Sequence, residues 1–174
     1  MDKIYYYSKS KNVLPGQGVH ENINNISDYN ELCKINNFRK ILSNFHEYPF
    51  KYNNLTYNSI EHAFQSEKIR LIDSGEAYKF CLESEHKIAK GDGLIARKNR
   101  KLIKLDKKTI NHWNNIKFII MKNITEEKIK QCDIFKQVLL KTNNCELWHI
   151  VMRSKSVRNL YLEELRAKYK LYQK

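Results

Sequence analysis

The sequence predicts a helix-rich α+β fold, one domain over residues 1–174 with a single small β-sheet. Three observations carry this expectation. Apolar residues recur every three or four positions from Lys107 to about Ile124 and again over Glu126–Lys141. Short aromatic and β-favouring runs stand between turn-forming residues near the N-terminus, around Asn53-Asn54 and around Trp148. A chain of 174 residues with 41% hydrophobic content fits one core, with no internal repeat and no low-complexity linker.

In chain order, Ile4–Ser8 is aromatic and predicts a strand, and Pro15-Gly16-Gln17-Gly18 forces a turn. Ser27 is a suitable N-cap for a helix over Asp28–Ile35, which Asn36-Asn37 interrupts. Pro49–Tyr52 and Leu55–Tyr57 are short β-like runs joined by Asn53-Asn54, residues that tolerate the positive φ of a two-residue hairpin turn. The hairpin leads into a helix from Ile60 to about Ile72, capped by Asn58 or Ser59. Two short helices are expected over Glu76–Glu83 and Glu85–Lys90. Asp106 caps the helix starting at Lys107, with Ile110, Trp113, Ile116, Ile120 and Ile124 inward, and Thr125 caps the next. Glu146–Val151 is strand-like, Arg153–Arg158 is a basic loop, and Asn159 opens a last helix, Leu160 to about Leu171. The sheet is expected to combine the N-terminal strand, the hairpin and the Trp148 segment.

The formal charge is +13, from 32 Lys and Arg against 19 Asp and Glu, which favours an anionic partner such as nucleic acid. Of those cations 25 are Lys, and the chain also holds 19 Asn and 19 Ile, the pattern of an A- and T-rich coding sequence. Base composition therefore competes with function as the source of the charge. Lys also reads phosphate and base edges less well than Arg. The four cysteines form no C-x-x-C pair and the six histidines lack ligand spacing beside them, so neither a metal nor a cofactor is indicated. The N-terminus lacks the features of a secretory leader and no apolar stretch is long enough to span a bilayer. A cytoplasmic protein without a membrane partner is the resulting expectation.

Chemistry concentrates between Ile41 and Arg70. Glu61, Gln65 and Lys68 fall at i, i+4 and i+7, so three polar groups project in one direction from one helix. With Asn58 as N-cap, Glu61 takes the third helical position, where a glutamate folds back as a capping box. The residues alone support that structural role as readily as a chemical one. The basic run Ala96–Lys101 is read first as a solvated helix face and second as a phosphate contact.

This segment resembles the NADAR family, also called YbiA-like. Ser43-Asn44-Phe45 looks like the family's L-S-N-F element. Tyr57-x-Ser59-x-Glu61-His62-Ala63-Phe64-Gln65-x-x-Lys68 matches its aromatic-x-S/T-x-E-H-x-x-Q-x-x-K motif in order and spacing. Ile4–Ser8 is similar to its opening aromatic strand, and Trp113 with Met121 sits where the family has a Trp before a Met-containing stretch. The resemblance is specific from Ile41 to Lys68 and covers most of the chain in outline.

The resemblance implies a compact NADAR/YbiA-like domain and N-glycosidase activity, on riboflavin-pathway intermediates or, in other members, removing ADP-ribose from guanine bases. It makes Glu61 the catalytic carboxylate, working in its ionised form. Gln65 and Lys68 would orient the substrate, Lys68 at a phosphate or pyrophosphate. Asn44 would offer an amide, and Phe45, Tyr57 and Trp113 would stack on the base, with core packing as the alternative for Phe45 and Trp113 and a surface position as that for Lys68. Tyr7 follows from the aromatic strand, and His62 is left structural. The C-terminal part departs from the family: many members carry a W-G-x-G-rich loop with an acidic residue, whereas no Gly follows Gly93 here. Glu146 and His149 are the nearest substitutes for that acid, and Arg153 is a candidate for phosphate. The expected substrate is a ribosylated guanine-type base, foremost ADP-ribosyl-guanine in nucleic acid. The alternatives are a riboflavin-pathway intermediate, a catalytically silent ADP-ribose or nucleotide reader, and a basic nucleic-acid-binding protein without pocket chemistry. The sequence leaves the oligomeric state open.

Overall fold

The computed structural model describes residues 1–172. Its strands and α-helices run β1 (Lys3–Tyr6), α1 (Asn30–Cys33), α2 (Phe38–Ile41), β2 (Phe50–Tyr52), β3 (Leu55–Tyr57), α3 (Ile60–Arg70), α4 (Ser74–Tyr78), α5 (Gly93–Lys98), α6 (Lys107–Gln131), α7 (Asp133–Lys141), β4 (Glu146–His149), β5 (Val157–Arg158) and α8 (Leu160–Leu171). The fold is helix-rich α+β. Two compact units are present, one from Met1–Ser43 and the chain from Asp133 onward, the other from Asn44–Cys132. No helix among the described residues is long and apolar enough to cross a membrane.

The terminal unit is organised by a three-stranded sheet in the order β1-β4-β5. β1 runs parallel to β4, with Ile4 opposite Leu147 and Tyr6 opposite His149, while β5 is antiparallel to β4. Strand alternation puts Ile4, Tyr6 and Leu147 in the core, where α7 adds Phe135, Val138 and Leu139 and α8 adds Leu162, Leu165 and Tyr169. On the other face Tyr5 stacks on Trp148, centroids 5.8 Å apart. The Pro15–Gly18 turn is pinned by Glu21, which accepts from the N–H groups of Gly16 (2.9 Å), Gly18 (3.1 Å) and Tyr5 (3.1 Å). Arg39 meets the same carboxylate at 2.5 and 2.7 Å.

In the central unit the hairpin turns as expected, with Asn53 and Asn54 at φ 49° and 63°. It forms its own two-stranded sheet and does not join the other strands, which corrects the single-sheet expectation. Helix α3 packs against α4, α5 and α6.

Other differences have local causes. Asn25 caps a 3-10 turn over Ile26–Tyr29, leaving only one α turn where a helix from Asp28 to Ile35 was expected. Asp73 accepts from Glu76 N at 2.9 Å and starts α4 at Ser74, and left-handed Glu85 (φ 53°) ends the following 3-10 turn, so no helix covers 85–90. Thr125 does not cap a new helix: its hydroxyl donates to Met121 O at 2.8 Å inside α6, which continues to Gln131 and breaks at extended Cys132. Of the expected inward residues in the first part of that helix, Trp113 and Ile124 are buried, while Ile110 is 42% exposed. Val157 and Arg158 pair as β5, within the segment read as a basic loop.

Candidate active site

The first turn of α3 sets the position of Glu61 itself. Ser59 is the N-cap, in extended conformation, and its Oγ accepts from His62 N. His62 Nε2 donates to Ile88 O at 3.0 Å, which leaves Nδ1 to accept from the Ser59 hydroxyl at 2.7 Å. Burial lowers the affinity of His62 for a proton, and the ring is neutral and structural. Asn58 is not the cap, because Ser59 takes that place, and the Asn58 amide nitrogen donates to Glu47 and Gly91 O. Glu61 is therefore the second helical residue rather than the third, and no capping box forms.

Released from that role, the Glu61 carboxylate accepts from Gln65 Nε2 at 2.8 Å, while its backbone N–H donates to Asn44 O at 3.0 Å. Both side chains are buried, with Glu61 7% and Gln65 5% exposed. Burial raises the Glu61 carboxyl above the ordinary glutamate value, and the Gln65 hydrogen bond, Arg97, Arg100 and Lys68 act in the opposite direction. A buried carboxylate whose charge is favoured by nearby cations is a stronger base than a surface one and still has support for its charge.

Lys68, half-buried one turn further along α3, is pushed down by burial and by Arg100, and Lys117 of α6 acts on it in the same sense, while Glu61 raises it. Phe64 shares this face and meets Trp113 with centroids 4.9 Å apart at 53°. Trp113 is 6% exposed, so Phe64 is the more accessible ring of the pair.

Asn44 and Phe45 support the site from the loop before the hairpin. Asn44 Nδ2 lies 3.6 Å from Met121 Sδ. Phe45 packs so closely on Gly93, at the start of α5, that a Cβ there would stand 2.6–2.7 Å from its atoms. Lys128, wholly buried, donates to His46 O at 2.5 Å and holds the same loop. Burial pushes its ammonium down to about 7 and His46 down to about 4.

The central unit thus brings together Glu61, Gln65, Lys68, Asn44, Phe45 and Trp113. Tyr57 belongs to that unit too, but its ring is fully buried and its hydroxyl meets Ser66 Oγ (3.1 Å) and Arg70 (3.3 Å), so it is a core residue rather than a stacking surface for a base. Tyr7 and Arg153 belong to the terminal unit: Tyr7 N donates to Ser10 Oγ at 3.0 Å, and Arg153 is exposed in a turn at φ 61°. Glu146, in the same unit, is held by Trp148 Nε1 (2.9 Å) and Arg158 (2.8 Å), contacts that lower its pKa and favour a charged, structural carboxylate over a proton donor.

Sequence reasoning gave neither Lys117 nor Phe64 a part in the site, and read Arg97 and Arg100 first as a solvated face and only second as a phosphate contact. The signal for Phe64 was its spacing of three from Glu61. For the arginines the segment carried no signal, since they stand with exposed Lys98 and Lys101 in one basic run.

The family model for the NADAR domain matches residues 27–155 of this chain. The solution structure of E. coli YbiA is similar at a TM-score of 0.60 and 20% identity, covering 78% of this chain and 80% of that one. That likeness is one of fold. No curated protein matches the chain.

Proposed function

Because this chain belongs to the NADAR family, we propose that it is an N-glycosidase, hydrolysing the ribose–nitrogen bond of a ribosylated guanine-type base, foremost ADP-ribosyl-guanine in nucleic acid. The observation that carries this reading is the buried Glu61 carboxylate, held by Gln65, with the charges of Arg97, Arg100 and Lys68 favouring its ionised form.

As the bond from the ribose anomeric carbon to nitrogen breaks, its electron pair leaves with the base and the sugar becomes oxocarbenium-like. Ionised Glu61 stabilises that carbon and takes a proton from the attacking water, whose oxygen bonds to the anomeric carbon. The departing nitrogen receives the proton that Glu61 took up, so the elements of water are divided between sugar and base. Burial, which raises the basicity of Glu61, suits the proton transfer. Lys68, Arg97, Arg100 and Lys117 supply the charge for a phosphate or pyrophosphate on the ribose, the two arginines by forked donation. Phe64 with Trp113 offers the apolar surface for the base.

A nucleic-acid carrier is supported by the stretch from Arg97 to Lys108, where seven of twelve residues are cationic, one is acidic, and all seven cations are exposed. The experiment is parallel incubation with an ADP-ribosyl-guanine oligonucleotide and a free ribosylated pyrimidine intermediate, with product masses read out. Restored guanine in the oligonucleotide supports the proposal. Release of the pyrimidine base alone moves the function to small metabolites, and no product from either leaves ligand reading as the better account.

A further inference from the structure

The bond between Gln65 and Glu61 fixes the orientation of an amide as well as that of a carboxylate. A primary amide has one donating end and one accepting end, and an ionised carboxylate only accepts. Gln65 therefore turns Nε2 to Glu61 Oε1, at 2.8 Å, and its own Oε1 is directed elsewhere. That oxygen is buried, on a side chain 5% exposed, and finds no donor among the described residues. Polar groups on the same helix and on the Asn44 loop are committed. The Ser66 hydroxyl donates to Ala77 O, His62 uses both ring nitrogens on Ser59 and Ile88, and the Asn44 amide is turned to Met121. A buried acceptor left unsatisfied in this way is costly and uncommon, and next to the carboxylate of the proposed reaction it calls for a donor from outside the chain.

The geometry of the amide says which donor. Oε1 and Nε2 share one carbon, so the bond to Glu61 fixes the direction of the free oxygen on the side chain that holds the carboxylate. A sugar with its anomeric carbon at Glu61 carries its nearest hydroxyl on the adjacent ring carbon. We propose that Gln65 Oε1 accepts a hydrogen bond from the 2-hydroxyl of the ribose being cleaved, making Gln65 the residue that selects ribosyl over 2-deoxyribosyl substrates. This inference rests on the glycosidase reading and adds its sugar specificity. Loss of the hydroxyl would leave the buried oxygen unpaired in the complex, a larger penalty than a missing surface contact.

The test uses the full chain and two probes, ADP-ribose and its analogue lacking the 2-hydroxyl on the terminal ribose, titrated calorimetrically into wild type, Gln65→Met and Gln65→Glu. The expected result is a wild-type preference for ADP-ribose of about tenfold to a hundredfold. Gln65→Met should abolish that preference, and Gln65→Glu, which keeps an acceptor, should retain part of it if folded. Equal wild-type affinity for both probes, with hydrolysis of a ribosylated base intact, overturns the assignment of Gln65 and leaves the glycosidase standing. If wild type neither binds ADP-ribose nor cleaves any ribosylated base, the glycosidase reading fails and this inference fails with it. The wild-type comparison needs no variant to fold.

Discussion

Ser59 Oγ lies 2.7 Å from His62 Nδ1, and this contact decides what Glu61 is free to do. With Ser59 capping α3 and His62 locked on Ile88 O, the backbone donors at the helix start are served without the glutamate. Its carboxylate is then left buried against Gln65.

That burial has a consequence for stability. The folded Glu61 carboxyl holds its proton more tightly than the unfolded chain does, because burial raises its pKa. The stability linked to this group is full below the ordinary value of 4.5 and is lost as pH rises through the raised value in the fold. Glu61→Gln, neutral throughout, should melt above wild type at neutral pH, with the difference closing in acid. Activity should rise with pH over the same window. A variant that melts below wild type at neutral pH would contradict this.

Gly93 faces Phe45 without room for a methyl group, the Phe45 Cα being 2.7 Å from where a Cβ would stand. Gly93→Ala must move the loop whose Asn44 carbonyl receives Glu61 N–H. Steady-state kinetics should show a loss of roughly a hundredfold in kcat/KM. Unchanged kinetics would mean that the loop does not position the carboxylate.

Arg97→Ala and Arg100→Ala remove cations that hold Glu61 toward its ionised form. Each should raise KM by about tenfold, as for loss of one charge-assisted phosphate contact, and shift the acid limb of the pH–rate profile to higher pH. The same shift should grow with added salt in wild type. Profiles that coincide with wild type would separate these arginines from the site.

Glu21 and Arg39 are 0% and 2% exposed at their side chains, joined at 2.5 Å. Glu21→Gln leaves Arg39 buried without its counter-charge, and chemical denaturation should report a loss of about 3–5 kcal/mol. A loss within about 0.5 kcal/mol, typical of surface substitutions, would contradict the central place of this pair in the terminal unit.

Local chemistry was legible in the sequence. Asn53-Asn54 gave the hairpin, the apolar spacing gave α3, and α8 runs over Leu160–Leu171 as expected. Features decided by distant partners were not. Thr125 has the chemistry of a cap but back-bonds to Met121, because packing carries α6 through it. Val157 and Arg158 become a strand only because β4 offers them an edge. Tyr57 matches an aromatic motif position, yet its hydroxyl is drawn inward by Ser66 and Arg70. Arg97 and Arg100 read as part of a solvated basic face, since nothing in their own segment reveals that α5 packs on α3.

The most direct test of the central claim is mass analysis of the products formed in heavy-oxygen water by wild type and Glu61→Gln, both shown to be folded, acting on the ADP-ribosyl-guanine oligonucleotide. The account predicts free ADP-ribose carrying one heavy oxygen and restored guanine from wild type, with the rate reduced at least about a hundredfold in the variant. Base release by Glu61→Gln at the wild-type rate would contradict it.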